Sequence, residues 1–166
     1  MNDFVIADPG KCIGCQTCEI ACVLAHQERP DLDALTPENF AARLTVVKTA
    51  NITAPIQCRQ CEDAPCAKAC VKGALVQGAH SVEIKEEECI GCKACMLACP
   101  YGAIEIRVNK ETNKLSVVKC DLCKGNENGP ACIGVCPTKA LKQIKHDNFS
   151  KQIMRKRKYA AGFMQG

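Results

Sequence analysis

The sequence contains no tryptophan, and aromatic residues make up only 4% of its 166 residues. The large side chains that usually fill a protein interior are therefore scarce, and something else has to supply that interior. No stretch approaches the roughly 18 consecutive apolar residues of a membrane-spanning helix, so we expect no membrane span. The N-terminus carries Asp3 and lacks both a basic start and a long apolar run, so we expect a cytoplasmic rather than a secreted protein.

Enzyme signatures are also missing. The sequence has neither the GxGxxG pattern of dinucleotide-binding loops nor a phosphate-binding loop. Its three histidines, His26, His80 and His146, are scattered without the spacing of metal ligands, and we expect each to lie at the surface. No catalytic residue is therefore predicted.

The abundant residue is cysteine, with sixteen in the chain, a density that ordinary domains do not approach. A disulfide framework, zinc sites and iron–sulfur clusters are the uses that compete for so many thiols. The cysteines form four groups of four; groups one and three have the spacing C-x2-C-x2-C-x3-C, and groups two and four have a longer gap after their second cysteine. In chain order the groups are Cys12, Cys15, Cys18 and Cys22; Cys58, Cys61, Cys66 and Cys70; Cys89, Cys92, Cys95 and Cys99; Cys120, Cys123, Cys132 and Cys136.

This spacing favours iron over zinc. Structural zinc sites use two separated ligand pairs, and a third cysteine three residues after the second does not fit that plan. Three thiolates on a tight loop can each hold one corner of a cubane, and Gly14 or Gly91 would let the backbone approach the inorganic core. The sixteen cysteines then predict four [4Fe–4S] clusters, with no thiol left over for catalysis. In two-cluster bacterial ferredoxins the last cysteine of a run ligates the other cluster, but spacing alone leaves open which runs are partners.

The formal net charge of +4 counts every cysteine as a neutral thiol. An oxidised [4Fe–4S] core with four thiolates contributes −2, so four such sites would make the loaded protein acidic. A nucleic-acid partner is therefore not expected.

Short strands are predicted between the cysteine groups. Residues Leu44–Lys48 and 115–119 are β-branched echoes of one another, and the alternating segment 103–108 could turn at residues 109–114 to pair with 115–119 as a hairpin. Residues 75–76 and 82–85 form a weaker candidate hairpin. No long amphipathic helix is evident between the groups. The cysteine-free tail, residues 147–166, is either a helix capped by Asp147, Asn148 or Ser150, or a frayed basic terminus.

The sequence around the cysteines also repeats, since Cys12-Ile13-Gly14-Cys15 recurs as Cys89-Ile90-Gly91-Cys92. With the cysteine order and the segment from Cys58 to Cys66, this pattern resembles the four-cluster iron–sulfur subunits of molybdopterin oxidoreductases. The closest resemblance is to the small electron-transfer subunits of formate dehydrogenase and formate hydrogenlyase systems, and it covers residues 1 to about 146.

The resemblance implies an α+β fold of two nested bacterial-ferredoxin-like modules, with short hairpins and short helices around the clusters. The outer module would comprise residues 1–50 and 109–146, the inner module residues 51–108, and the tail residues 147–166. The implied ligand sets are Cys12, Cys15, Cys18 and Cys136 (site 1); Cys120, Cys123, Cys132 and Cys22 (site 2); Cys58, Cys61, Cys66 and Cys99 (site 3); Cys89, Cys92, Cys95 and Cys70 (site 4).

The resemblance also implies a function without catalysis in this chain. Single electrons would pass between a molybdenum or tungsten subunit of the formate dehydrogenase or CO2-reductase type and a hydrogenase or other iron–sulfur subunit. Two alternatives stay open: a free polyferredoxin that serves several enzymes, and a scaffold that uses clusters structurally and self-associates through its tail.

Overall fold

The computed structural model describes residues 1–109 and 114–162. Within them the chain forms short strands and short helices, which confirms the α+β, ferredoxin-like class predicted from the sequence. The elements are β1 (Phe4–Ala7), α1 (Thr17–Leu24), β2 (Leu44–Lys48), β3 (Thr53–Gln57), α2 (Pro65–Lys68), β4 (Leu75–Gln77), β5 (Val82–Ile84), a 3-10 turn (Glu86–Glu88), α3 (Ala94–Ala98), β6 (Glu105–Asn109), β7 (Lys114–Val118), α4 (Ala131–Gly134), β8 (Leu141–Ile144) and α5 (His146–Ala160).

The strands of the described residues pair as four antiparallel two-stranded ribbons. Three are local hairpins, β2–β3, β4–β5 and β6–β7, and the last two confirm the predicted hairpins. The connection of β6 to β7, residues 110–113, lies outside the described residues. The fourth ribbon joins β1 to β8 from opposite ends of the chain, with Phe4 opposite Ile144.

Strands β1 and β3 were not predicted. Strand β3 contains Pro55, which interrupts a strand pattern in the sequence. In a two-stranded ribbon each strand has a free edge, so a residue without an N–H is tolerated there. Strand β1 is only four residues long, and its partner lies more than 130 residues away, beyond the range of local sequence patterns.

The helices that carry cysteines are short, and the longest of them is α1 with eight residues. As predicted, no long helix lies between the cysteine groups in the part of the chain that the structure describes. The sequence repeat is also a structural repeat. Helix α1 follows Gln16 with φ 62°, and α3 follows Lys93 with φ 64°, the same left-handed conformation at the equivalent position.

The tail forms α5, which confirms a helix rather than a frayed terminus up to residue 160. The capping prediction was wrong: the helix begins after Lys145, and no side chain caps it. Its start depends on tertiary contacts instead, because Asp3 Oδ1 accepts the His146 N–H at 2.8 Å and Phe149 packs edge-on against Phe4. Self-association through this helix stays a prediction.

Two buried clusters form the interior, and cysteines take the places that aromatic residues would usually fill. The first cluster contains Val5, Cys18, Cys22, Leu44, Val46, Cys132 and Leu141. The second contains Ala64, Cys66, Leu75, Val82, Cys95, Ile104 and Val117. Cysteines of groups one and four thus share one cluster, and cysteines of groups two and three share the other.

Candidate iron–sulfur sites

All sixteen cysteines lie in the described residues, and none forms a disulfide. The third cysteine of every group is buried, whereas the second cysteine of groups one and three is exposed. Groups one and three therefore run from the surface into a core, as a loop around a shared object would. The four buried third cysteines are Cys18, Cys66, Cys95 and Cys132.

The four cysteines of site 1 line one cavity. Cys12, Cys15 and Cys18 come from the loop before α1, and Cys136 reaches the same space from the end of α4. The empty volume is about 330 Å³, including the part open to solvent. Val46, Pro55 and Leu141 complete an apolar wall.

The four cysteines of site 4 line a second cavity of the same form. Cys89, Cys92 and Cys95 surround it from the loop before α3, and Cys70 enters from the end of α2. Its empty volume is also about 330 Å³. In both cavities three thiols of one group meet the fourth thiol of another, so the donor set fits a cubane with four thiolate ligands.

The thiols of sites 2 and 3 also lie within electrostatic reach of one another. The pKa of Cys132 is raised by burial and then by the neighbouring thiols Cys120, Cys22 and Cys123, which are the rest of site 2. In site 3, burial is the largest of the effects that raise the pKa of Cys66 to about 11, and Cys58 and Cys99 also contribute to this rise. The pKa of Cys58 in turn responds to Cys61.

Burial makes the thiolate form unfavourable at the more buried cysteines. It raises the pKa of Cys120 to about 12 and that of Cys18 to about 11. A thiolate at such a position requires a cation beside it, because burial without a partner favours the neutral thiol. Iron supplies that cation, so the chemistry of the donor set fits iron–sulfur ligation.

Backbone N–H groups point at three of the fourth cysteines. Each comes from the alanine four residues later, in the turn where the sequence repeats an alanine followed by an aliphatic residue. The pairs are Ala74 to Cys70 at 3.2 Å, Ala103 to Cys99 at 3.4 Å and Ala140 to Cys136 at 3.2 Å. Cys22 has no such turn and accepts instead from the Arg43 N–H at 3.3 Å. These N–H groups would stabilise negative charge on the ligand sulfurs.

A polar group beside site 2 was missed from the sequence. The expectation that His26 lies at the surface was wrong, because the side chain is only 16% exposed. Its Nδ1–H donates to the Cys22 carbonyl at 2.7 Å, and its Nε2–H donates to Asp121 Oδ1 at 3.0 Å. The other oxygen of Asp121 contacts Arg43 Nη1 at 2.6 Å. His26 and Asp121 are 95 positions apart, so no local pattern could have paired them.

The pKa values of His26 and Asp121 both shift in this group. Burial alone would lower the pKa of His26, but the hydrogen bonds to Asp121 and Cys22 outweigh it and raise the pKa to about 9. Burial alone would raise the pKa of Asp121, but His26 and Arg43 lower it to about 2. His26, Asp121 and Cys123 lie close enough to share a metal ion. Since Arg43 already neutralises Asp121 and the resemblance assigns Cys123 to site 2, we interpret the three as support for that site.

The other histidines lie away from the cysteines of the four sites. His80 is exposed, as predicted, and its ring stacks on that of His146 with 3.8 Å between centroids. His146 is half-buried, contrary to the prediction, because Asp3 holds its Nδ1 at 3.1 Å. None of the helices in the described part of the chain combines the length and apolarity that crossing a bilayer requires.

Comparison with known proteins places the chain in a family. Residues 49–146, more than half of the chain, match the family described as 4Fe-4S dicluster domain. The electron transport protein HydN of Escherichia coli is 46% identical, and the alignment covers 97% of this chain and 98% of HydN. The putative electron transport protein YsaA of Escherichia coli is 45% identical, with 93% and 98% covered. Formate hydrogenlyase subunit 2 of the same organism is 37% identical, with 95% and 89% covered.

These matches confirm the cofactor and the functional class predicted from the cysteine spacing. The chain belongs to the family of ferredoxin-like electron-transfer proteins that bind [4Fe–4S] clusters through the 4Fe-4S dicluster domain.

Proposed function

We propose that the chain binds four [4Fe–4S] clusters at sites 1 to 4 and relays single electrons through them. The observation that carries this proposal is the pair of cavities in which the complete cysteine sets of sites 1 and 4 meet. In each cavity the fourth thiol comes from a different group than the other three. The cross-ligation of two-cluster ferredoxins requires such an exchange.

The proposed architecture is nested. Residues 1–50 and 109–146 form the outer module with sites 1 and 2, and residues 51–108 form the inner module with sites 3 and 4. The division of cysteines between the two buried clusters supports this partition, as does the ribbon that closes β1 on β8. Strand β7 packs on the inner module through Val117 although it lies in the outer segment.

Neighbouring sites would share short helices. Helix α1 carries Cys18 of site 1 and Cys22 of site 2, and α2 carries Cys66 of site 3 with Cys70 of site 4 just after it. Cys58 of site 3 also acts on the pKa of Cys120 of site 2. The shared helices and this electrostatic effect support a path in which electrons pass along the sites in the order 1, 2, 3, 4.

When bound, each [4Fe–4S] cluster would take up and release one electron. The chain's own part is to hold the thiolates, to exclude water with apolar walls such as Val46 and Leu141, and to direct backbone N–H groups at sulfur. Burial and N–H contacts of this kind set the potential of a cluster.

The proposed partners are a molybdenum or tungsten catalytic subunit of the formate dehydrogenase or CO2-reductase type and a hydrogenase or other iron–sulfur subunit. The similarity to formate hydrogenlyase subunit 2 supports this assignment. We place the protein in the cytoplasm, since sixteen free thiols are kept for iron most readily in a reducing compartment.

A free polyferredoxin is the second candidate. Two relatives above 40% identity carry the name of electron transport proteins rather than of subunits. Anaerobic purification from the native organism separates the candidates. A stoichiometric complex with a large catalytic chain is expected for the relay subunit, whereas a monomer that reduces several unrelated enzymes would reject it.

Cys136→Ser tests the ligand exchange. Paramagnetic resonance of the reduced protein should show the loss of the same signal that Cys15→Ser removes, because both residues belong to site 1. Cys132→Ser is the matched control, four residues away on α4, and should remove the signal that Cys22→Ser removes. If Cys136→Ser instead removes the signal lost in Cys123→Ser, the proposed ligand sets are wrong.

A further inference from the structure

Lys119 is fully buried, with 0% of its surface exposed. Its ammonium donates to the Val82 carbonyl at 2.6 Å and to the Cys120 carbonyl at 2.9 Å. Within residues 1–109 and 114–162 it forms no salt bridge. Lys48, which occupies the same place in the echoed strand β2, is exposed. The burial of Lys119 is therefore a feature of its surroundings and not of the strand motif.

The surroundings of Lys119 are the junction between cysteine groups two and four. Buried Gln60 donates through Nε2 to the Cys120 carbonyl at 2.7 Å and accepts the Val82 N–H at 2.9 Å. The Gln60 backbone N–H points at Cys58 Sγ, 3.4 Å away. Lys119 and Gln60 thus share the Cys120 carbonyl and the Val82 backbone, so they stand between Cys58 of site 3 and Cys120 of site 2.

The charge of Lys119 reaches the thiols of site 3. It lowers the pKa of Cys58 and of Cys66, although burial is the larger effect and raises both. Across the junction, the charge of Cys58 raises the pKa of Cys120. Lys119 therefore acts on two thiols of site 3, and its ammonium also contacts the backbone carbonyl of Cys120, a residue of site 2.

A buried ammonium without a carboxylate is costly unless another negative charge compensates it. Carbonyl oxygens satisfy its donors but carry no net charge. Each loaded site carries −2, so the two sites beside Lys119 provide the missing negative charge. The same attraction strengthens when either site gains an electron, because reduction adds one more negative charge.

We propose that Lys119 is the shared counter-charge of sites 2 and 3 and raises the reduction potential of both. The proposal rests on the ligand sets proposed above. Its consequence is that the middle of the electron path attracts electrons more strongly than it would without this lysine.

Lys119→Met, in the loaded full-length protein, tests this. Met keeps the length and removes the charge. Potentials are measured by redox titration with paramagnetic resonance detection, and Cys61→Ser and Cys123→Ser identify the signals of sites 3 and 2. Both sites should become harder to reduce by at least tenfold in equilibrium constant, about 59 mV for a one-electron couple. Sites 1 and 4 should keep their potentials.

Lys124→Met is the matched control. Lys124 lies one residue after Cys123 but is 70% exposed and paired with Glu83, so water screens its charge. The same change in net charge there should leave all four potentials within a factor of three of wild type. A shift of equal size in Lys124→Met would overturn the proposal, because net charge alone would then explain it.

Several further results would overturn the proposed role of Lys119. Unchanged potentials in Lys119→Met, or a shift confined to one site, would overturn the shared role. Lys119→Gln, which keeps N–H donors without the charge, covers the case in which Met loses iron. Loss of iron from both variants, with wild-type potentials in the remaining clusters, would make Lys119 structural and overturn the proposal. If wild type itself shows fewer than four clusters, the proposed function fails first, and the inference about Lys119 fails with it.

Discussion

Asp121 connects His26 and Arg43 in the polar group beside site 2. Its replacement by asparagine should destabilise the loaded protein. Its carboxylate accepts from His26 Nε2 at 3.0 Å, from Arg43 Nη1 at 2.6 Å and from the Cys123 N–H at 3.0 Å. The side chain is 28% exposed, and those of His26 and Arg43 are 16% and 20% exposed. Asparagine keeps the shape but leaves two half-buried cations without a negative partner.

The magnitude follows from the pKa of Asp121, which falls from 3.8 to about 2 on folding. Each pKa unit corresponds to about 1.4 kcal/mol, so the carboxylate contributes roughly 2 kcal/mol. A group with a depressed folded pKa contributes above its unfolded pKa, so this stability is fully present at pH 7 and is lost only as the pH falls through about 2. For a chain of this size roughly 2 kcal/mol corresponds to about 4–8 °C in Tm.

The assay is anaerobic thermal unfolding of the iron-loaded protein at pH 7 and a fixed scan rate, followed by visible cluster absorbance and circular dichroism. Asp63→Asn is the matched control, since Asp63 also pairs with a cation at 2.6 Å, Lys68, but both side chains are mostly exposed. An exposed pair of this kind contributes at most about 1 kcal/mol. Equal shifts in the two variants would refute the reasoning, because burial would then make no difference.

The remaining predictions concern pH and backbone conformation. His26 has a folded pKa of about 9 against 6.5 unfolded, so its contribution, at most roughly 3 kcal/mol, is complete below pH 6.5 and is lost as the pH rises through 9. Unfolding midpoints of wild type should fall over this interval, and His26→Gln should flatten the slope; an unchanged slope would contradict the assignment. Gly91→Ala should lower the unfolding midpoint more than Gly73→Ala. Both glycines have φ near +70°, but an added Cβ at Gly91 meets the Leu115 side chain, whereas at Gly73 it meets nothing within 4 Å. The shared φ costs about 1 kcal/mol, and overpacking adds about 1–3 kcal/mol only at Gly91; equal losses would show that Leu115 yields freely.

Local features of this protein were predictable from the sequence because their causes are local. The hairpins β4–β5 and β6–β7 join strands close together in the chain, so alternation and turn residues suffice to indicate them. The cysteine spacing likewise indicates iron–sulfur ligation within each group. The hydrogen bond after the fourth cysteine is also local, since the backbone N–H of Ala74, Ala103 or Ala140 donates to the sulfur four residues earlier.

Long-range features were not predictable, because no pattern within a segment specifies its distant partner. The β1–β8 ribbon and the pair of His26 with Asp121 each join residues roughly 95 or more positions apart. Gly14 and Gly91 illustrate the same limit. The sequence suggests that they let the backbone approach a cluster. In the structure an added Cβ at Gly14 would meet Lys48 and Thr53, and one at Gly91 would meet Leu115, so hairpin side chains also require these glycines.

The two echoed segments show how similar local sequences acquire different roles. Residues Leu44–Lys48 lead into a hairpin turn, so Lys48 ends in solvent, whereas Lys119 leads directly into Cys120 and is covered by group two. Its burial is favourable only while negative charge lies nearby, and that charge arrives with the iron. Folding around Lys119 and loading of sites 2 and 3 are therefore coupled, so the junction between the modules should be the last part to become stable as clusters are inserted. In the proposed nested architecture, a duplicated ferredoxin pattern explains each module separately, and the buried Lys119 would make each module depend on the other.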